Sequence, residues 1–205
     1  MYLSLDTGTE VLGISILDNG KKPLYKLSLT KFKPFSEIIV DKLDSIFNEL
    51  GLEKNNIEAV IVNVGPGSYT GLRIGVSTAK TIAYILKRDI YIYDSLSTLA
   101  YKYRYVDGDI LVVLNAGKGE VYLQEFNVNL NEIKPISEIK LKKLKSLDND
   151  FLQKFKLVIT KNLQLEGNNI IKDVEDLSLY GAFYSLEKNL KFDILQVEPI
   201  YIRGL

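Results

Sequence analysis

Three stretches of this chain combine residue types that can hold a phosphate or support transfer chemistry. Asp6-Thr7-Gly8-Thr9-Glu10 sets a carboxylate at the end of an alternating apolar run, ahead of a glycine and two small hydroxyls. In a Mg²⁺–nucleotide loop such a carboxylate orients the metal, while backbone N–H groups of Thr7 to Thr9 face the phosphate oxygens. Asp, Thr and Gly are equally the ordinary choices of a hairpin turn, so this stretch alone decides nothing. The run LNAGKGEV, residues 114–121, repeats LDTGTEV, residues 5–11, with one residue inserted. Two such turns facing each other could clamp a nucleotide's phosphates from both sides. Asn115 stands where a second carboxylate would support metal chemistry, which weighs against catalysis.

The third stretch, VGPGSYTGLRIG at 64–75, carries four of the fourteen glycines. It fails every familiar template. Walker A spacing is absent and no Lys closes the loop. The dinucleotide fingerprint meets Thr70 where its third glycine belongs. The esterase elbow would need a different place for Ser68 and a histidine base. What remains is a structural loop of Gly65, Pro66, Gly67, Ser68 and Thr70 that turns the chain out of a buried strand. It leads into a helix that Thr70 can cap, whose first N–H groups could meet an anion.

Composition removes whole chemistries. The chain has 205 residues, 46% of them hydrophobic, enough for a substantial core. It has no Cys and no His, so thiol nucleophiles, disulfides, thiolate zinc sites, Ser-His-Asp triads and HExxH proteases are excluded. Carboxylates could still hold Mg²⁺ or move protons. Lys plus Arg and Asp plus Glu both number 26, so no overall field draws the protein to nucleic acid or membrane. The absence of a charged leader, a signal core or a membrane-length apolar run gives the expectation of a cytoplasmic protein.

Elements must position these residues. Residues 1–17 read as two strands around a tight turn, and Pro23 to Leu29 as a third. Phe35, Ile38, Ile39, Leu43, Ile46, Phe47 and Leu50 recur at helical spacing, with Ser36 as N-cap and Gly51 as stop. AVIVNV at 59–64 is a doubly covered strand. A helix over about 72–86, a strand at 90–94 and a helix from Ser95 or Ser97 to about Tyr103 follow. The hairpin pattern then restarts at 110–126, which predicts two related halves, 1–105 and a smaller 106–205, with the boundary near 105–108. Residues 140–155 read as a Lys-rich surface helix or loop, 156–160 as a strand and LYGAFYSLEKN as a helix. The second half is the less regular. Mixed β-sheets flanked by helices are the expected α/β architecture.

In the second predicted helix Gly71, Gly75, Ala79 and Ala83 fall at four-residue steps and form one narrow strip. Glycine inside a helix costs about 1 kcal/mol relative to Ala, so close approach of another backbone is expected there. That backbone is either a partner's or the chain's own sheet. The first helix has Phe35, Val40 and Ile46 spread wider than one sheet-facing stripe, so the two helices could share an apolar patch.

The segment IVNVGPGSYTGLRIGVSTAK, residues 61–80, resembles the signature of the bacterial TsaB (YeaZ) family. LSLDTGTE at the start, FSE at 35–37, GEVYLQEF at 119–126 and the closing PIYIR at 199–203 agree with it. The resemblance implies the duplicated actin/hexokinase/Hsp70-like (ASKHA) fold with a degenerate second half. It implies a non-catalytic subunit, not a glycoprotease, that supports TsaD in forming N6-threonylcarbamoyladenosine at position 37 of tRNAs. TsaE would join through the TsaB–TsaD pair, tRNA would be met only through the complex, and the subunit alone would form a homodimer. Carried over, the partner interface would use Phe35, Ile38, Ile39, Lys42 and Ile46 of the first helix, and Gly71, Leu72, Gly75, Thr78, Ala79, Ile82 and Ala83 of the second. Asp6, Thr7, Gly8 and Thr9 would be a vestigial phosphate loop, with no metal, no required cofactor and at most weak ATP binding. Two positions depart from the family pattern: Phe35 stands where a His is common, and Asn115 where an Asp is. The alternative from the residues alone is an ATP-dependent small-molecule phosphotransferase using Asp6.

Overall fold

A computed structural model describes residues 1–202. The first half builds β1 (Tyr2–Asp6), β2 (Val11–Leu17), β3 (Pro23–Thr30), α1 (Phe35–Glu49), β4 (Ala59–Asn63), α2 (Tyr69–Leu86), β5 (Asp89–Tyr93) and α3 (Ser95–Lys102). The second adds β6 (Gly108–Gly117), β7 (Glu120–Asn129), β8 (Glu132–Pro135), β9 (Lys140–Lys143), the short α4 (Asn149–Leu152), β10 (Leu157–Lys161), β11 (Ile170–Asp173), α5 (Ser178–Glu187) and β12 (Lys191–Phe192).

Two mixed sheets result. One has the order β12-β5-β4-β1-β2-β3; the other runs β11-β10-β6-β7-β8, with β9 also pairing β7. The repeat seen in the hairpins extends to topology. In each sheet the leading hairpin is antiparallel, and its first strand pairs in parallel with a later strand: β1 with β4, β6 with β10. The next strand adds in parallel again, β5 to β4 and β11 to β10. The second copy is worn down where the first has its long helices: α4 spans four residues, and no helix joins β10 to β11. One core lies between the first sheet and α1–α2 and another between the two halves; a third sits beneath α4 on the far face of the second sheet.

Several expectations need correction. α1 starts at Phe35 directly after Pro34, whose extended backbone and missing N–H make it the entry residue, so Ser36 lies in the first turn and caps nothing. Gly51 does stop the helix, at φ +60°, with Leu52 N–H on Phe47 O at 2.9 Å and Gly51 N–H on Asn48 O at 3.2 Å. α2 starts at Tyr69 with Ser68 as cap, its Oγ accepting from Gly71 N–H at 3.2 Å; Thr70 is therefore helical, not a cap or loop residue. The Lys-rich stretch supplies an edge strand, β9, before α4. The division at 105–106 also fails for the last segment. α5 packs on the first sheet, β12 pairs β5, and Val197 lies in the first core.

Candidate functional site

The two glycine hairpins do face each other. Gly8, Thr9 and Glu10 from one and Asn115, Ala116 and Gly117 from the other line a cleft of about 490 Å³. Asp6 does not look into it. Its carboxylate is fully buried: Oδ1 accepts from Gly8 N–H at 3.0 Å and Asn63 Nδ2 at 2.9 Å, and Oδ2 from Leu177 N–H at 2.7 Å. Burial pushes its pKa up, against the lowering by those three hydrogen bonds. Asp6 thus ties the first hairpin to the start of α5. The cleft also receives the chain's own tail: Ile200 N–H donates to Val64 O at 2.7 Å, and the Tyr201 ring lies 5.1 Å from that of Tyr69. Arg203 of the closing motif lies outside the described residues. Among the described residues no cluster of three Asp or Glu is placed to hold a metal ion.

The glycine loop serves the same junction. Gly65, at φ +105°, turns the chain out of β4, and Ser68 N–H donates to Gly8 O at 2.8 Å. Asn63 bridges loop and hairpin, donating to Asp6 and accepting from Gly65 N–H at 2.8 Å.

The small-residue strip is buried, and this corrects its assignment as a partner surface. A Cβ on Gly71 would come within 3.0 Å of Thr7 O, and one on Gly75 equally close to Thr7 Oγ1. Ala79 and Ala83 are fully buried. The approaching backbone is therefore the chain's own first hairpin. Phe35, Ile38, Ile39 and Ile46 are likewise buried in the chain's own core, because they form the sheet-facing stripe, and Leu72 is buried against Gly8 and Gly65 beside the cleft.

What α1 and α2 leave outward is the neighbouring row. Arg73, Ser77, Thr81 and Ile85 repeat at the same four-residue step, with Ile74, Thr78 and Ile82 half-buried beside them. Across from them stand Val40, Leu43, Asp44 and Phe47 of α1. Between the helices lies a groove of about 390 Å³, lined by Val40, Phe47, Thr78, Ile82, Ile85 and Leu86 among others. Val40 is 58% exposed and Ile85 69%. Of the predicted interface residues, Thr78 and Ile82 line this groove, whereas Lys42, half-buried, is not among its lining residues. Arg73, Val40 and Ile85 carry the open face instead. The signal for the last two was in the sequence: apolar residues set outside the stripe that meets the sheet.

A charged joint fixes the halves to each other. Lys161 and Asp173 are both fully buried and paired at 3.1 Å, and Lys102 and Tyr103 reach the other oxygen of Asp173. Burial alone would raise the Asp173 pKa; Lys161 and Lys102 overcome it and hold the carboxyl below its ordinary value. Asp176, also buried, fills the space that Gly13 leaves and accepts from Ser28 and Ser178, while Ser15 and Ser178 hydroxyls meet at 2.7 Å.

Two mixed sheets built on one repeated plan, closed around a cleft between glycine hairpins, have the architecture of the duplicated actin/hexokinase/Hsp70-like fold. The family described as "TsaD: tRNA N6-adenosine threonylcarbamoyltransferase" matches residues 31–190. A Bacillus subtilis protein named "tRNA threonylcarbamoyladenosine biosynthesis protein TsaB" is 36% identical over 120 residues, 58% of this chain and 52% of that protein. A protein of the same name from Buchnera aphidicola is 27% identical over 186 residues, 88% of each chain. The solved structure of YeaZ from Pseudomonas aeruginosa superposes with a TM-score of 0.77 over 98% of this chain and 99% of that one; at 17% identity it speaks for the fold. The chain belongs to the TsaB (YeaZ) family, within the wider family described for TsaD.

Proposed function

We propose that this protein is a non-catalytic subunit in the biosynthesis of threonylcarbamoyladenosine on tRNA, and that its α1–α2 face docks onto a TsaD-type threonylcarbamoyltransferase. One observation carries the reading: the open apolar groove between α1 and α2, with Val40 and Ile85 largely in water. Contiguous apolar surface of this kind is stabilised by being covered. The names of the relatives support the pathway, and the family match supports the class of partner. Without the partner, a second copy would cover the same groove. TsaE would be reached through the assembled pair, and tRNA through the complex. No cofactor belongs to this reading. The cleft between the hairpins supports a rival, an ATP-dependent phosphotransferase, but Asp6 has its oxygens engaged by Gly8, Asn63 and Leu177.

The test is co-purification with the TsaD-type protein of the same source, followed by a tRNA modification assay with and without this chain. Modification should need both proteins. Ile85→Asp should abolish co-purification while leaving the melting temperature of the isolated chain unchanged, because Ile85 lies outside the core. Unimpaired binding of Ile85→Asp would refute the docking face. Titration with ATP·Mg²⁺ supplies the other arm: micromolar binding lost in Asp6→Asn would favour the phosphotransferase.

A further inference from the structure

We infer that Arg73 is the charge-reading residue of the α1–α2 face, and that the protein surface seated there sets a carboxylate against it. This rests on the docking reading above and adds to it the chemistry of the partner.

Arg73 lines the hollow that continues the groove, beside Ser36, Ile39, Val40 and Ser77. Its side chain is held in place. The guanidinium lies over the Tyr69 ring at 5.5 Å, Nη1 donates to Tyr69 Oη at 3.1 Å, and the Tyr201 ring packs against Tyr69 at 5.1 Å. Among the described residues no carboxylate pairs with it. Asp44, by contrast, the acidic residue lining the groove, is paired with Lys54 at 2.6 Å. Nor does the helix account for a cation here. Arg73 sits near the N-terminal end of α2, where the dipole favours anions, and the first turn holds no acidic residue to offset it.

An ordered, unpaired guanidinium at the rim of an apolar groove has most of its donors free. Its planar fork matches a carboxylate with two parallel hydrogen bonds, and the stack lowers the entropy lost on forming them. A nucleic-acid backbone would need several cations in a row. The hollow offers this one among Ser36, Ser77, Thr70 and Thr78.

The experiment titrates the TsaD-type protein of the same source into the full chain at low and high salt, comparing wild type, Arg73→Ala, Arg73→Lys, Arg73→Glu and Ile85→Asp. The inference expects Arg73→Ala to weaken binding at least about tenfold, Arg73→Glu more, and Arg73→Lys less than Arg73→Ala. Wild-type affinity should fall with salt, and that of Arg73→Ala should fall less. Wild-type affinity in Arg73→Glu, with binding lost in Ile85→Asp, would overturn the inference and leave the docking face standing. Equal, salt-independent losses in Arg73→Ala and Arg73→Lys would overturn it too, by showing packing and not charge. Full binding by both Ile85→Asp and Arg73→Glu would sink the docking face and this inference together. An Arg73→Glu effect confined to tRNA binding by the isolated chain would assign the residue to RNA instead.

Discussion

Replacing Gly75 with Ala should cost stability in this chain and increase it in a chain that carries Ala in place of Thr7. A Cβ at Gly75 would stand within 3.0 Å of Thr7 Oγ1, closer than real Cβ atoms come. Forcing an extra methyl into a packed contact costs about 1–3 kcal/mol. Removing glycine from a helix interior returns about 1 kcal/mol. The net for Gly75→Ala is therefore a loss of up to about 2 kcal/mol. Thr7 Oγ1 is buried without a hydrogen-bond partner, so Thr7→Ala removes an unsatisfied hydroxyl and should be close to neutral. In that background the overlap with the hydroxyl is gone and only the residue 7 Cβ, 3.3 Å away, has to give by a few tenths of an ångström, which the helical gain of about 1 kcal/mol exceeds, so Gly75→Ala changes sign. Gly71 gives the control. Its Cβ would meet the Thr7 carbonyl oxygen, which Thr7→Ala leaves in place, so Gly71→Ala should destabilise equally in both backgrounds. Urea denaturation of the six chains at constant m-value reads all these terms. The same sign for Gly75→Ala in both backgrounds would refute the packing argument. Unchanged stability in every glycine variant would return the strip to the surface.

Two further outcomes concern the cap and the joint. Ser68→Ala should cost about 1 kcal/mol, because its Oγ accepts from Gly71 N–H, whereas Thr70→Ala should fall within about 0.5 kcal/mol of wild type; equal effects would mean that the cap is assigned wrongly. Asp173 has a depressed folded pKa, so its contribution is present above the unfolded value of about 3.9 and is lost as pH falls through that value towards the folded one. The stability gap between wild type and Asp173→Asn should thus be full at neutral pH and shrink below about pH 4. A gap constant with pH would contradict the ion-pair account. Asp6, with its raised pKa, works in the opposite direction, losing stability as pH rises above the unfolded value.

Much of the fold could be read locally. The strand alternation of 1–17, its echo at 110–126, the apolar run at 59–63 and the Gly51 stop each depend on neighbours a few residues away. What a strip faces does not. Gly71 and Gly75 share a helical face by period alone, but whether that face meets another chain or Thr7 depends on a residue far back in the sequence. Asp6 misled for the same reason. Its type and turn fitted a metal loop, while the donor that claims it, Leu177 N–H, lies 171 residues on. Ser36 and Thr70 were plausible caps by residue type; Pro34 and Ser68 won because the chain enters each helix through their extended backbone.

The return of α5 and β12 to the first sheet has a consequence for synthesis. The ribosome delivers β1 to β5 early, but the helix that covers one face of them, and the N–H that Asp6 accepts from, emerge only after β6 to β11 have been made. The first half is thus begun first and completed last. Until α5 arrives, a growing chain holds a carboxylate and a sheet face without their intended cover, a state open to premature association. The order of the gene and the order of assembly are opposed in this protein, and the return of α5 and β12 is what reconciles them.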